Sequence, residues 1–208
     1  MESMDKKSLI EEIIRLEWPM FQEVNGEERA DCQENHPMFV AMREAQFSAW
    51  DEEALRSYLG DLEDALKEGR NLLRDKYIHM MESTEPEHYL YFREELPPVS
   101  QAKRALVEAI WALLLPQTVE FRQKYPAVAR HGRPLLSSQE RFGYASVETY
   151  EKGELMTYSE GTLEKLLRCI EEKKARGISF AAEIQTRGML NQGFGSMEEA
   201  EEEARRNE

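Results

Sequence analysis

Residues 51–71 read DEEALRSYLGDLEDALKEGRN. Leu55, Tyr58, Leu59, Leu62, Ala65 and Leu66 recur three and four positions apart, which places them on one face of an α-helix. Asp51 stands where a side-chain oxygen can accept the unpaired N–H groups of the first turn. Gly69 stands where a helix ends in a left-handed residue. Asn71 can cap a second helix at once, in which Leu72, Leu73, Tyr77, Met80 and Met81 turn inward until Pro86 forces a stop near Thr84. The stretch predicts two helices joined as a hairpin, and it sets the class for the chain around it.

Upstream, Met4 to Val24 places Ile10, Ile13, Ile14, Glu17, Phe21 and Val24 at helical spacing, with Trp18-Pro19 marking a kink or break. One glutamate therefore sits on an apolar stripe. A polar stretch, Asn25 to His36, leads to Pro37, which suits the first turn of a helix because its missing N–H is not needed there. Phe39, Met42, Gln46 and Trp50 share a face of that helix. Downstream, Leu96-Pro97-Pro98 is a break, and Ser100 opens a long helix carrying Leu106, Ile110, Leu113, Leu114 and, past a Pro116 kink, Phe121. Tyr125 to Ser138, with two prolines and Gly132, reads as a loop before a capping box at Ser137 and Glu140. Shorter helices follow at Val147–Leu155, Thr162–Lys174 and Phe180–Leu190, and Ser196 with Glu199 opens a charged terminal helix. No alternating run bounded by hairpin turns occurs, and no repeat of solenoid length is present. The expected class is all-α: an irregular bundle of about eight to ten helices, with residues 1–195 as one helical domain and 196–208 as a charged terminal helix or tail.

The chain has 208 residues, 41% hydrophobic and 33% charged, enough apolar surface for one core. Lys and Arg number 27 against 41 Asp and Glu, a formal net charge of -14. That balance opposes phosphate backbones, so no nucleic-acid partner is expected. The longest apolar run, Ala109–Leu115, is far shorter than a bilayer span, and charges interrupt the first dozen residues where a secretory signal would be apolar. With two cysteines, Cys32 and Cys169, neither a disulfide framework nor a four-cysteine metal site is possible. These features lead us to expect a cytoplasmic protein without membrane contact.

Glycine-rich phosphate loops, HExxH, paired CxxC and serine-elbow motifs are all missing from the sequence. Glu85-Pro86-Glu87-His88 has the Glu and His spacing of carboxylate-bridged metal bundles, but those need two copies, and a capping role at a helix start suffices, so no metal site is expected. Cys32 and His36, four apart, read as packing. The segment Ser146 to Ser159 is dense in hydroxyls and carboxylates and resembles a site lining. Glu148, Tyr150, Glu154 and Tyr158 alternate there among small or apolar neighbours, and Glu154 and Tyr158 would face the same way, an acid or base beside a phenol. Asn25, Arg29 and Gln33, also four apart, lie close in sequence to Arg43 and Gln46 beside a core face. Buried groups of these types need partners, and the carboxylates of 148–158 could supply them. The result is either a structural polar network or a pocket for a polar ligand.

Taken in order, Glu12-Ile13-Ile14, Glu17-Trp18, the Asn25 to Gln33 stretch, Met42-Arg43, Gly69-Arg70-Asn71-Leu72, Lys76-Tyr77, Met80-Met81, Leu96-Pro97, Tyr125-Pro126, Glu148-Thr149-Tyr150 and Gly153-Glu154-Leu155 with Thr157-Tyr158-Ser159 form a series. It resembles the bacterial domain-of-unknown-function family numbered 4125, over nearly the whole chain. The family usually has two glycines before Arg29, where this chain has Gly26-Glu27-Glu28, and His88 is not a family feature. The resemblance brings no activity and indicates no cofactor. It implies motif residues more polar than packing requires, which favours a pocket.

The expectation is therefore a small-molecule site where residues 29–46 meet residues 148–158. Arg29, Gln33, Arg43, Gln46 and Tyr150 would hold the ligand. In an enzymatic version Glu148 or Glu154 acts as acid or base, Arg29 or Arg43 holds an anionic group, and Tyr150 or Tyr158 orients the substrate. The alternative is a non-catalytic module whose acidic surface engages another bacterial protein, the same residues being internal struts.

Overall fold

In the computed structural model, which describes residues 4–24, 34–141 and 144–207, side-chain caps open nearly every long element. Asp5, Asn35, Asp51, Asn71, Ser100, Ser146, Ser159, Ser179 and Ser196 each accept an N–H of the first turn that follows. The helices are α1 (Lys6–Gln22), α2 (His36–Ser48), α3 (Glu52–Lys67), α4 (Leu72–Thr84), α5 (Pro86–Phe92), α6 (Gln101–Lys124), α7 (Pro126–Arg130), α8 (Val147–Leu155), α9 (Glu160–Ala175), α10 (Phe180–Asn191) and α11 (Met197–Arg206). No strand occurs among the described residues beyond an isolated bridge between Arg141 and Tyr144. The all-α class is as expected.

The hairpin of α3 and α4 is present, with Gly69 at a φ of 69° where the chain turns. α1 lies across it, touching α3, α4 and α2; α9 covers the far side of α3, and α8 packs on α4. The central α6 contacts α8, α9 and α10, and α10 in turn covers α2. One core joins these helices, from Leu9 and Ile13 through Phe47, Trp50, Leu55 and Leu62 to Ile110, Leu163 and Ile170. A smaller cluster of Phe121, Tyr125 and Met197 sits under α11.

Two local expectations are corrected. α6 runs past Pro116 as one helix, as expected, and α1 continues through Pro19, which excludes the break among the two alternatives there. The burial of Glu17 and Met20 around Pro19, and of Trp111, Leu114 and Phe121 around Pro116, holds turns that a proline weakens by one hydrogen bond. The stretch read as a loop after Tyr125 contains α7, with Pro126 at its first position. Ser137–Gln139 is a single 3-10 turn, and Glu140 bonds outward, accepting the Ser146 N–H at 2.7 Å and the Ser83 hydroxyl at 2.6 Å.

Among the described residues no helix is long and apolar enough to cross a membrane.

Candidate functional site

Four helices bring polar side chains to one place. α1 carries Glu17 on its apolar stripe, fully buried. α2 carries Arg43 and Gln46, three apart and so on one face. α4 presents Lys76 between the buried Leu72 and Met80, four residues to either side. α8 supplies Glu154 in its last turn, and Tyr158 follows after the helix ends. α8 can approach α4 because Gly153 has no side chain: a Cβ there would lie 2.6 Å from Met80 Cγ and 3.2 Å from the Lys76 carbonyl oxygen.

Glu154 is the hub. Its Oε1 accepts from Arg43 Nη1 at 2.9 Å, Gln46 Nε2 at 2.7 Å and the Tyr158 hydroxyl at 2.7 Å, while Oε2 accepts from Lys76 Nζ at 2.5 Å. Arg43 reaches the other way to Glu17, with Nε 2.7 Å from Oε2 and Nη2 bonded to Oε1, and Nη1 also donates to Gln46 Oε1 at 2.7 Å. The Tyr58 hydroxyl of α3 donates to Glu17 Oε1 at 2.6 Å. The Tyr58 and Tyr158 rings lie 4.7 Å apart, with Trp50 against both.

Two carboxylates and two cations thus share a site almost closed to water, where each charge needs its partner. Burial alone would push the Glu154 carboxyl up, but the charges of Arg43 and Lys76, with the hydrogen bonds from Lys76 and Tyr158, hold it well below the usual carboxylate range. Glu154 and Glu17 hold Arg43 protonated against burial, and Glu154 does the same for Lys76. Burial first, and carboxylate neighbours second, push both tyrosine hydroxyls well up. Glu151, half-buried one turn before Leu155, has no hydrogen bond or ion pair among the described residues. Burial and the nearby Glu154 push its carboxyl up to about 7, against the pull of Lys76 and Arg43.

This network forms one wall of a cavity of about 270 Å³. Its polar lining includes Arg43, Tyr58, Lys76, Tyr150, Glu154 and Arg133, and its apolar lining includes Phe21, Phe39, Met42, Leu72 and Leu73. Met38 and Met42 are substantially exposed at its edge. A mostly apolar hollow with a few fixed polar groups is the usual form of a small-molecule site.

Residues 7–202 match the family described as protein of unknown function (DUF4125). The chain belongs to that family. No curated protein and no solved structure matches it. Every residue of the network lies within the span that matches DUF4125.

Of the residues expected at a site in this DUF4125 chain, Arg43, Gln46, Glu154 and Tyr158 are bonded to one another, and Tyr150 lies against them with its ring 3.5 Å below Lys76 Nζ. Glu148 is turned elsewhere. It accepts the Ser137 N–H at 3.0 Å and hydroxyl at 3.1 Å and pairs with Lys152 at 3.0 Å. Arg29 and Gln33, with Asn25 and Cys32, fall outside the described residues. Glu85 and His88 bond each other at the surface, 2.6 Å apart at the start of α5. Among the described residues no third His, Cys, Asp or Glu completes a metal-holding group with them. Glu17, Lys76, Tyr58 and Arg133 were not singled out as site residues. The first two could have been, since each places a charge on an otherwise apolar helical stripe, and such a charge must find a buried partner.

Proposed function

We propose that the protein binds a small molecule in the cavity between α1, α2, α4 and α8, and that the Glu17–Arg43–Glu154–Lys76 network is the preformed wall of that site. The observation that carries the reading is the cavity's mixed lining: polar groups fixed by one another stand beside apolar side chains that include two exposed methionines. Met side chains adapt to varied ligand shapes, which suits a binding surface. Binding is favoured over catalysis because Glu154 already accepts four hydrogen bonds and is held ionised, which makes it a weak base, and Tyr158 is a weak acid. A cytoplasmic setting is part of the proposal and suits the free, buried Cys169.

Nile red, an uncharged apolar dye, tests the site. One dye per chain should bind with a gain in fluorescence, and Met42→Asp, which sets a charge on the apolar wall at an exposed position, should remove binding while leaving the melting temperature unchanged. Binding that survives Met42→Asp would put the dye elsewhere and sink the proposal. The rival reading, a protein-interaction module, draws on α5, whose Leu90 and Tyr91 are among the most exposed apolar side chains of the described residues. It gains weight if Nile red binding responds to Tyr91→Ser instead.

A further inference from the structure

Arg133 differs from the other cations of the cavity in its partners. Arg43 and Lys76 are each bonded to buried carboxylates. Arg133 has no carboxylate partner among the described residues; its one hydrogen bond there is from Nη1 to the Ala145 carbonyl at 3.2 Å. Its guanidinium carbon instead lies over two tyrosine rings, 4.9 Å from the centre of Tyr150 and 5.3 Å from that of Tyr144. Aromatic faces hold the guanidinium plane in place and leave most of its N–H fork unused. The backbone beneath is fixed as well, since Arg122 of α6 donates to the Arg133 carbonyl at 3.0 Å.

The charges around Tyr150 do not balance. Its ring carries two cations, Lys76 and Arg133, and only Lys76 is answered by a carboxylate. Among the described residues, the lining cations Arg43, Lys76 and Arg133 stand against the lining Glu154 and against Glu17 bonded to Arg43, which leaves one positive charge in a protein whose net charge is -14. The neighbouring Glu151, pushed up to about 7 by burial and by Glu154, offsets only part of that charge at neutral pH. A guanidinium fork, rigidly backed and lining a cavity, is the group that recognises a planar oxyanion.

We infer that Arg133, held between Tyr144 and Tyr150, is the anchor for a single carboxylate on a ligand whose apolar body lies along Phe21, Phe39, Met42 and Leu72. One unanswered charge suits one carboxylate and not the nearly double charge of a phosphate monoester. The inference rests on the cavity being a ligand site and names the chemistry of its occupant.

Three matched probes separate the possibilities by isothermal titration calorimetry: 4-phenylbutyrate, the uncharged 4-phenylbutan-1-ol, and 4-phenylbutyl phosphate. The carboxylate should bind at least about tenfold more tightly than the alcohol. Arg133→Gln should bring the carboxylate down to the alcohol's affinity without changing the alcohol, and Arg133→Lys should recover only part of the loss. Circular dichroism should show both variants folded, as expected for a side chain outside the buried network. Carboxylate and alcohol binding alike, both lost in Met42→Asp, would overturn the anion subsite and leave the cavity reading standing. A carboxylate preference untouched by Arg133→Gln, or a stronger preference for the phosphate, would overturn the assignment to Arg133 or to a single charge. No binding of any probe, together with no Nile red binding, would remove the cavity reading and this inference with it.

Discussion

Arg43 donates to Glu17, Gln46 and Glu154 from three different nitrogens while its side chain is only 12% exposed. A charge so placed stabilises little by its presence, because desolvation offsets most of the attraction, but its removal strands two buried carboxylates. Arg43→Gln should therefore lower unfolding stability by about 3 to 5 kcal/mol, read from the shift in urea midpoint. An unchanged midpoint would mean that water reaches Glu17 and Glu154 and that the network is not a strut. Glu151 has the opposite signature. Its carboxyl titrates near 7 in the folded state and near 4.5 when exposed, so between those values the folded chain keeps a proton that the unfolded chain has released. Stability then falls as pH rises from 4.5 to 7 and stays level above that for this group. Glu151→Gln removes the cost: its melting temperature should exceed that of the parent at pH 8, by the equivalent of about 3 kcal/mol, and the two should converge near pH 4. A constant difference across that range would show that Glu151 does not titrate as placed.

The contact of α4 with α8 is where helix geometry becomes site geometry. A Cβ at position 153 would meet the flexible end of Met80, which can move, and the Lys76 carbonyl, which is backbone and cannot move alone. Alanine is the better helix former by about 1 kcal/mol, so Gly153→Ala should stabilise α8 taken by itself. The expected net result is nonetheless a loss of about 1 to 2 kcal/mol, with the helices forced apart and the Lys76–Glu154 bond lengthened. A variant that melts at or above the parent temperature would show that Met80 absorbs the methyl group and that close approach is not what holds α8. The same scale explains what could be read from sequence. Caps such as Asp51, Asn71, Ser100 and Ser196 and stripes such as Leu55–Leu66 act within one turn, so these helices were legible almost to their ends. The Glu154–Tyr158 pair was legible for the same reason. α7 was missed because Pro126 was read as a breaker beside Gly132, although a proline opens α7 as Pro37 opens the first turn of α2. Glu17, Arg43, Lys76 and Glu154 come from four separated segments, and no local pattern encodes which buried charge meets which. Arg133 was hidden between Gly132 and Pro134, where sequence shows only a loop and the chemistry depends on rings folded over it.

For the whole molecule the open question of organisation is the terminal segment, 196–208, which carries six of the glutamates and reads in sequence as a helix or tail apart from the domain. In the fold α11 touches α7 and α10 and buries Met197 and Ala200. Glu201 accepts the Ala127 N–H with both oxygens, at 3.1 and 3.0 Å, and the Val128 N–H at 2.9 Å, a carboxylate set against the first turn of α7. Its charge favours the positive end of that helix, and hydrogen bonds from the amides, followed by the Arg205 side chain, hold its carboxyl below the usual range despite the desolvation. Burial of Met197 contributes about 1.5 to 3 kcal/mol and the Glu201 cap about 1 to 2. A chain ending at Gly195 should thus lose about 3 kcal/mol of stability, and Glu201→Ala alone a third to a half of that. Ligand affinity should not follow. Arg133 is held by Arg122 of α6 and by the Ala145 carbonyl, neither of them in α11, so the truncated chain should bind 4-phenylbutyrate as the full chain does. Equal urea midpoints for the two chains would make 196–208 a separate tail. A loss of carboxylate affinity with the loss of stability would mean that α11 and α7 position Arg133 and that the anion subsite extends through them.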